Sequence, residues 1–357
     1  MNEKEYFELM SYCDMLDGNA RPPQNDWQGQ WLAHQREKRR VRRLGNYSGL
    51  GAAGFFLLSN FIILALRKSS FIMDLYASSS EAALGIDLII TLFSIGLPFL
   101  LCYFLLEKVE PDCPLPLGKP QNLTTAGLLF FSCWFINIFG SYIASVLASS
   151  LETFFGVEFY GGEISLPSSA FGVLLYVVRL AVLPAIIEEF AFRGVIMQHL
   201  RRYGDGFAIL MSAILFAILH GNMIQIPFAL IAGCTIGYAV IVTGSLWTGI
   251  AIHFANNILS VVQTFFLEEA SEVESVLTLI PVLIILIGGI VCTIILKKEN
   301  RLPKLNKLSP LSRSEAAKSF LSAPVMLCLF AYTAYVVFTM TSAYKPIAEA
   351  FSRFFGF

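Results

Sequence analysis

The fold class predicted for this chain is all-α, a polytopic transmembrane helical bundle of about nine spans. Three observations predict it. The 357 residues are 56% hydrophobic and only 14% charged, against about 45–50% apolar and about 25% charged in soluble domains. Apolar stretches long enough to cross a hydrocarbon core of about 30 Å, roughly 20 residues each, recur along the chain. The basic residues also gather at intervals that fit an even number of crossings.

Residues 1–46 are polar, lack an apolar core of signal-peptide type, and are expected to stay on the protein as a cytoplasmic tail. They end in REKRRVRR, Arg36 to Arg43, directly before the first span near 47–66. By the positive-inside rule this block holds the N-terminus in the cytoplasm, and it is expected to touch anionic lipid rather than nucleic acid. Spans near 83–106 and 123–149 complete an accessory group over 47–149. A core over 169–266 follows, with a long span at 169–199, a short one at 206–220, and two more at 224–243 and 246–266. The last region, 275–357, holds spans at 275–296 and 319–343 and an interfacial tail, KPIAEAFSRFFGF.

Parity checks the topology. Arg201 and Arg202 lie four spans after the basic block, and Lys297, Lys298, Arg301, Lys304 and Lys307 lie four spans after those, so all three clusters share one side, the expected cytoplasm. The acidic stretches LETFFGVEFYGGE and EEASEVE fall on the other side, while Arg67 and Lys68 run mildly against the rule. A net charge of −1 says nothing about nucleic-acid or acidic partners, so only the local distribution of charge is informative, and seven scattered cysteines without a C-x-x-C spacing support neither a disulfide framework nor a thiolate metal site.

One stretch conflicts with its surroundings. PAIIEEFAFRGVI, Pro184 to Ile196, puts Glu188, Glu189 and Arg193 in a run otherwise suited to lipid, where a central charge costs about 2.5–3.5 kcal/mol even on insertion scales. Glu189 and Arg193 are four apart, in the favourable order, and should pair. Glu188 stands five from Arg193, about 140° around the helix. It is therefore the carboxylate without a cation, suited to accept and return a proton.

Two other segments place polar groups in apolar spans, FAILH (Phe216 to His220) and HFANN (His253 to Asn257). Counting at 1.5 Å per residue from the basic end puts Glu188, His220, His253 and Asn257 in one layer, roughly 10–23 Å deep. An imidazole and an amide four apart share a helix face and could bind an oxyanion while the carboxylate activates water. The same Glu188, His220 and His253 could instead hold zinc with an open position. A third reading of intramembrane Glu and His is the relay of a proton-coupled transporter, although no paired half-helices or inverted repeat accompany them.

The ordered set EEFAFR, FAILH and HFANN resembles the E-E-x-x-x-R, F-x-x-x-H and H-x-x-x-N/B motifs of the CAAX protease and bacteriocin-processing family, the intramembrane glutamic endopeptidases also called Abi or CPBP proteins. The resemblance covers about 169–266. It implies that Glu188 activates the hydrolytic water with help from His220, that His253 and Asn257 stabilise the oxyanion, and that Glu189, Arg193 and Phe216 are structural supports. It favours a metal-free site over a zinc site and a membrane-associated protein or peptide as substrate. The same family includes bacteriocin-immunity and partner-binding roles. The expected setting is an integral membrane protein, in the plasma membrane if the source is bacterial, with the site reached from the cytoplasmic side.

Overall fold

The computed structural model describes residues 27–159, 166–267 and 279–344, so EEASEVE, the end of LETFFGVEFYGGE and the tail KPIAEAFSRFFGF lie outside the described residues. Among the described residues there is no strand, only one isolated antiparallel bridge between Phe159 and Thr341. The helices are α1 (Trp27–Leu66), α2 (Ser70–Ser78), α3 (Ser80–Glu107), α4 (Leu123–Phe155), α5 (Ala170–Tyr203), α6 (Asp205–Leu219), α7 (Gln225–Thr243), α8 (Leu246–Leu267), α9 (Leu279–Lys298), α10 (Arg313–Leu321) and α11 (Pro324–Thr339).

Each of the nine expected spans is mainly helical over its described part, the last one broken at Ser322 and Ala323, yet fewer qualify as crossings. By length and composition six helices among the described residues are long and apolar enough to cross a membrane, α1, α3, α4, α5, α7 and α9; α10 with α11, bent by 68°, makes up to seven. The 15-residue α6 falls short of the length, and α8 is diluted by its polar residues, among them His253, Asn256, Asn257 and Gln263. Large side chains such as Leu57, Phe61, Ile284 and Ile287 are exposed on the outer faces, as lipid-facing helices of an integral membrane protein require.

The ends are set locally. Asn122 caps α4 by accepting from the Thr125 amide, and Ser169 caps α5 by accepting from that of Gly172. Gly156 (φ 64°) closes α4 in the left-handed conformation that glycine adopts without strain. Close helix packing needs small residues too: a Cβ on Gly45 would stand 2.5 Å from the Phe320 carbonyl oxygen, which lets α1 lie against α10.

The N-terminal half of α1 is docked. The Tyr203 hydroxyl donates to Glu37 at 2.7 Å, Arg202 pairs with Glu37 at 3.2 Å, and Arg40 pairs with Glu110 at 2.8 Å. Within the basic block, Lys38 is taken by Glu315 at 2.8 Å, while Arg39, Arg42 and Arg43 are exposed. Burial raises the Glu110 carboxyl above its ordinary range, opposed by the charges of Arg40 and Arg202.

Two features position the site. A continuous buried core runs from Phe99 on α3 through Phe192 on α5 to Phe216 on α6, with ring centroids 5.1 and 5.3 Å apart. On the other side α9 packs antiparallel to α4, with Arg301 beside Asn122 and Thr125 at one end, and Val282 and Ile285 clustered with Ile138 further along.

Candidate active site

The site begins with a break in the regularity of α5. Pro184 has no amide proton to give, and just before it the helix widens into a π turn over Val178–Val182, with the Leu183 amide bonded to the Val178 carbonyl five residues back. A second π turn covers Phe190–Ile196, where the Met197 amide reaches the Phe192 carbonyl. The Arg193 carbonyl is taken by the side-chain amide of Gln198 at 2.8 Å. Both glutamates sit on the short α-helical piece between the two wide turns, Leu183–Glu189. Such π turns often mark functional positions.

Glu189 and Arg193 form the ion pair that their spacing predicts, Arg193 Nη1 donating to Glu189 Oε1 at 2.7 Å, with both side chains fully buried. Arg193 also donates from Nη2 to the Gly233 carbonyl at 3.3 Å, and its Cζ lies 4.4 Å from the centre of the Phe216 ring. Phe216 meets the His220 ring edge-on at 5.0 Å and the His253 ring at 5.7 Å. It is the shared wall of the site.

Glu189 does more than pair with Arg193. His253 Nδ1 lies 2.8 Å from Glu189 Oε1. A carboxylate oxygen can only accept there, so Nδ1 carries the proton and donates it. Nε2 then points the other way, 4.0 Å from Glu188 Oε2. That separation exceeds a direct hydrogen bond and matches two groups that share a water. His220 is fixed alike: its Nδ1 donates to the Phe216 carbonyl at 3.0 Å, which leaves Nε2 as the free face of the ring. Glu188 and His253 both lie within electrostatic reach of His220.

The close approach of α8 depends on Gly249. A Cβ there would stand 2.7 Å from Val240 Cγ2, 3.1 Å from Ile236 Cγ2 and 3.2 Å from Glu189 Oε2. The missing side chain brings His253, one turn further on, to the carboxylates of α5. Glu189 Oε2 itself is buried without a hydrogen-bond partner.

Asn257 and His220 line a cavity of about 510 Å³ between α4, α7, α8 and α9. Its other walls come from Asn137 and Ser141 on α4, Gln225 on α7 and Gln263 on α8. These positions lie along the second half of α8 and at the start of α7, away from the basic ends of α5 and α9. The expectation was an approach from the basic side. At that end the segment between α3 and α4 packs over the turn between α7 and α8: the Leu246 amide donates to the Pro116 carbonyl at 2.7 Å, Ser245 Oγ to Gly118 at 2.7 Å, Trp247 Nε1 to Leu117 at 3.0 Å, and the Gln121 amide to Thr243 at 3.0 Å. Depth counted along the helices contains no information about this cover.

The structure therefore brings Glu188, Glu189, Arg193, Phe216 and His253 together, and sets His220 and Asn257 at the mouth of one cavity. Among the described residues no three His, Cys, Asp or Glu side chains converge closely enough to be a metal cage. The His253–Glu189 bond and the Asn137 wall were not read from the sequence. Glu189 was accounted for by its cation, and Asn137 stands alone in an apolar span with no spacing to mark it.

Residues 170–259, which contain all three motifs, match the family model of type II CAAX prenyl endopeptidase Rce1-like proteins, in agreement with the resemblance the motifs carry. No curated protein and no solved structure matches the chain.

Proposed function

We propose that this chain is an intramembrane endopeptidase that hydrolyses a peptide bond of a membrane-associated protein or peptide with water activated by Glu188. The observation that carries the reading is the pair of facing groups, Glu188 Oε2 and His253 Nε2, 4.0 Å apart, with His253 one helical turn before Asn257, which with His220 lines a cavity.

In this mechanism a water between the two groups gives its proton to Glu188 as its oxygen attacks the substrate carbonyl carbon. The carbonyl oxygen becomes an oxyanion, which accepts from the Asn257 amide and from His253. His253 can donate from Nε2 while Nδ1 is bound to Glu189 only as the imidazolium. The charges of Glu188, Glu189, Arg193 and His253 then sum to zero, a balance that suits an apolar site. Collapse of the tetrahedral species breaks the C–N bond, and Glu188 returns its proton to the departing amine. His220 Nε2 holds and orients the water. Zinc held by Glu188, His220 and His253 would lower the proton affinity of water, but as they stand these side chains do not converge closely enough to hold it; the reading favoured here uses the carboxylate to activate water.

The test is comparative proteomics of membrane peptides from cells carrying the wild type or Glu188→Gln. Cleavage products that vanish with the substitution are expected and would identify the substrate. Identical peptide sets would leave a non-catalytic partner-binding role as the better account.

A further inference from the structure

Beyond the motif residues, one side chain is built as if to meet a ligand. Asn137 stands midway along α4, fully buried, and is part of the cavity wall. One end of its amide meets the Thr235 hydroxyl at 2.6 Å, and that hydroxyl, with one proton to give, also lies 3.0 Å from the Ala232 carbonyl. Asn137 Nδ2 is buried with no partner. Whichever way the amide is turned, one of its polar atoms is left without a partner, so its place beside an open cavity calls for a polar group supplied from outside the chain.

The rest of the wall says what carries that group. Asn137, Ser141, Gln225, Asn257 and Gln263 offer amides and hydroxyls, and among the described residues no Asp, Glu, Lys or Arg lines the cavity. An extended peptide main chain at membrane depth needs a partner for each carbonyl and amide, and this wall supplies partners of both kinds. Among the described lining residues a charged side chain would find no counter-ion. An apolar chain could lie against Ile138, Phe228, Leu259 and Val282 but would leave the amides unbonded.

We propose that Asn137 is a substrate-positioning residue, the free atom of its amide hydrogen-bonding to the main chain of an extended peptide whose side chains near the scissile bond are uncharged, and that this cavity is the lane in which the peptide lies. The proposal rests on the hydrolytic reading above and adds to it the substrate's chemistry and a residue outside the motifs.

The test uses the full chain in proteoliposomes with two dye-quenched peptides that share an apolar anchor. One has Ser, Asn and Ala around the cleavage region, and the other has Lys and Glu there. The wild type should cleave the neutral peptide and discriminate against the charged one. Asn137→Leu keeps the size and removes the amide; it should raise KM about 3- to 10-fold, the worth of one neutral hydrogen bond, with kcat nearly unchanged. Thr235→Val leaves the amide in place but frees its orientation, and should raise KM less. A mere folding defect would lower kcat and leave KM alone. Binding of the neutral peptide to Glu188→Gln, read by fluorescence polarisation with and without Asn137→Leu, reports on the cavity with no chemistry. An unchanged KM and Kd on losing Asn137, or equal cleavage of both peptides, would overturn the proposal while leaving Glu188-dependent hydrolysis intact. Asn137-dependent binding without any cleavage would keep the lane and sink the hydrolytic reading.

Discussion

Two groups of buried charges hold this molecule together, and they are built differently. At the basic end, Glu37, Tyr203, Arg202, Glu110 and Arg40 join α1 to the ends of α3 and α5. At the site, Glu189 binds Arg193 and His253 at once, while Glu188, the free edge of His253 and the Asn257 amide are turned to one another or to a cavity. Both groups contain carboxylates and arginines in apolar surroundings, so charge alone does not distinguish them. What does is that each basic-end carboxylate reaches a cation or a hydroxyl within 3.2 Å, whereas Glu188 and His253 Nε2 stand 4.0 Å apart with no direct bond between them. A buried ion pair is thus weak evidence of function; an orphaned polar atom at a cavity is stronger.

The comparison breaks first at Glu188. Glu188→Gln should lower turnover by about 100-fold or more, the usual worth of a positioned general base, with a thermal melt like that of the wild type. A mutant that keeps more than a few per cent of the rate would remove this carboxylate from the chemistry.

Next comes Glu189. Glu189→Gln and Arg193→Met should each destabilise by about 3–5 kcal/mol by stranding a buried charge, and the double mutant should melt above either single one. Its activity should stay low, because His253 has lost the carboxylate that holds its Nδ1. Recovered turnover in the double mutant would show that Glu189 is a strut only, as its spacing with Arg193 first suggests.

The basic end should behave in the opposite way. Tyr203→Phe removes a 2.7 Å bond to the Glu37 carboxylate and should cost about 1.5–3 kcal/mol, visible as a lower melting temperature with kcat/KM unchanged. A change in catalytic efficiency in the well-folded fraction would mean that the two groups are coupled.

Glu110 gives a smaller effect with a defined sign. Its carboxyl is raised in the folded state, chiefly by burial, so the folded chain holds this proton more tightly than the unfolded one. The associated stability is present at pH below the ordinary carboxylate range and is lost as pH rises through the raised value. Glu110→Gln should therefore melt progressively higher than the wild type as pH increases above that range, and the gap should close in acid. A gap that widened in acid would reverse the assignment. The smallest expected effect is that of a strong chelator on the purified protein: turnover should persist, with well under one zinc per chain. Activity that is lost on stripping and restored by zinc would turn Glu188, His220 and His253 into ligands.

How much of this was legible beforehand follows from the range of the forces involved. The apolar runs, the three basic clusters and the i, i+4 spacing of Glu189 with Arg193 are local, and they determined the helical membrane class, the positions of the helices and the buried ion pair. The grouping of EEFAFR, FAILH and HFANN was legible because chemistry of this kind needs those side chains, and the family match over 170–259 agrees. Crossing helices could not be counted from apolar runs alone, since α6 is helical but only 15 residues long and α8 exchanges hydrophobicity for polar side chains. Tertiary structure decided the rest. Glu189 meets His253 across 64 positions of chain, through a gap left by Gly249. The segment around Pro116 packs over the turn between α7 and α8, and the cavity that Asn137 lines lies along the second half of α8. Each of these depends on which helix faces lie together, and periodicity within one helix carries no term for the helix beside it.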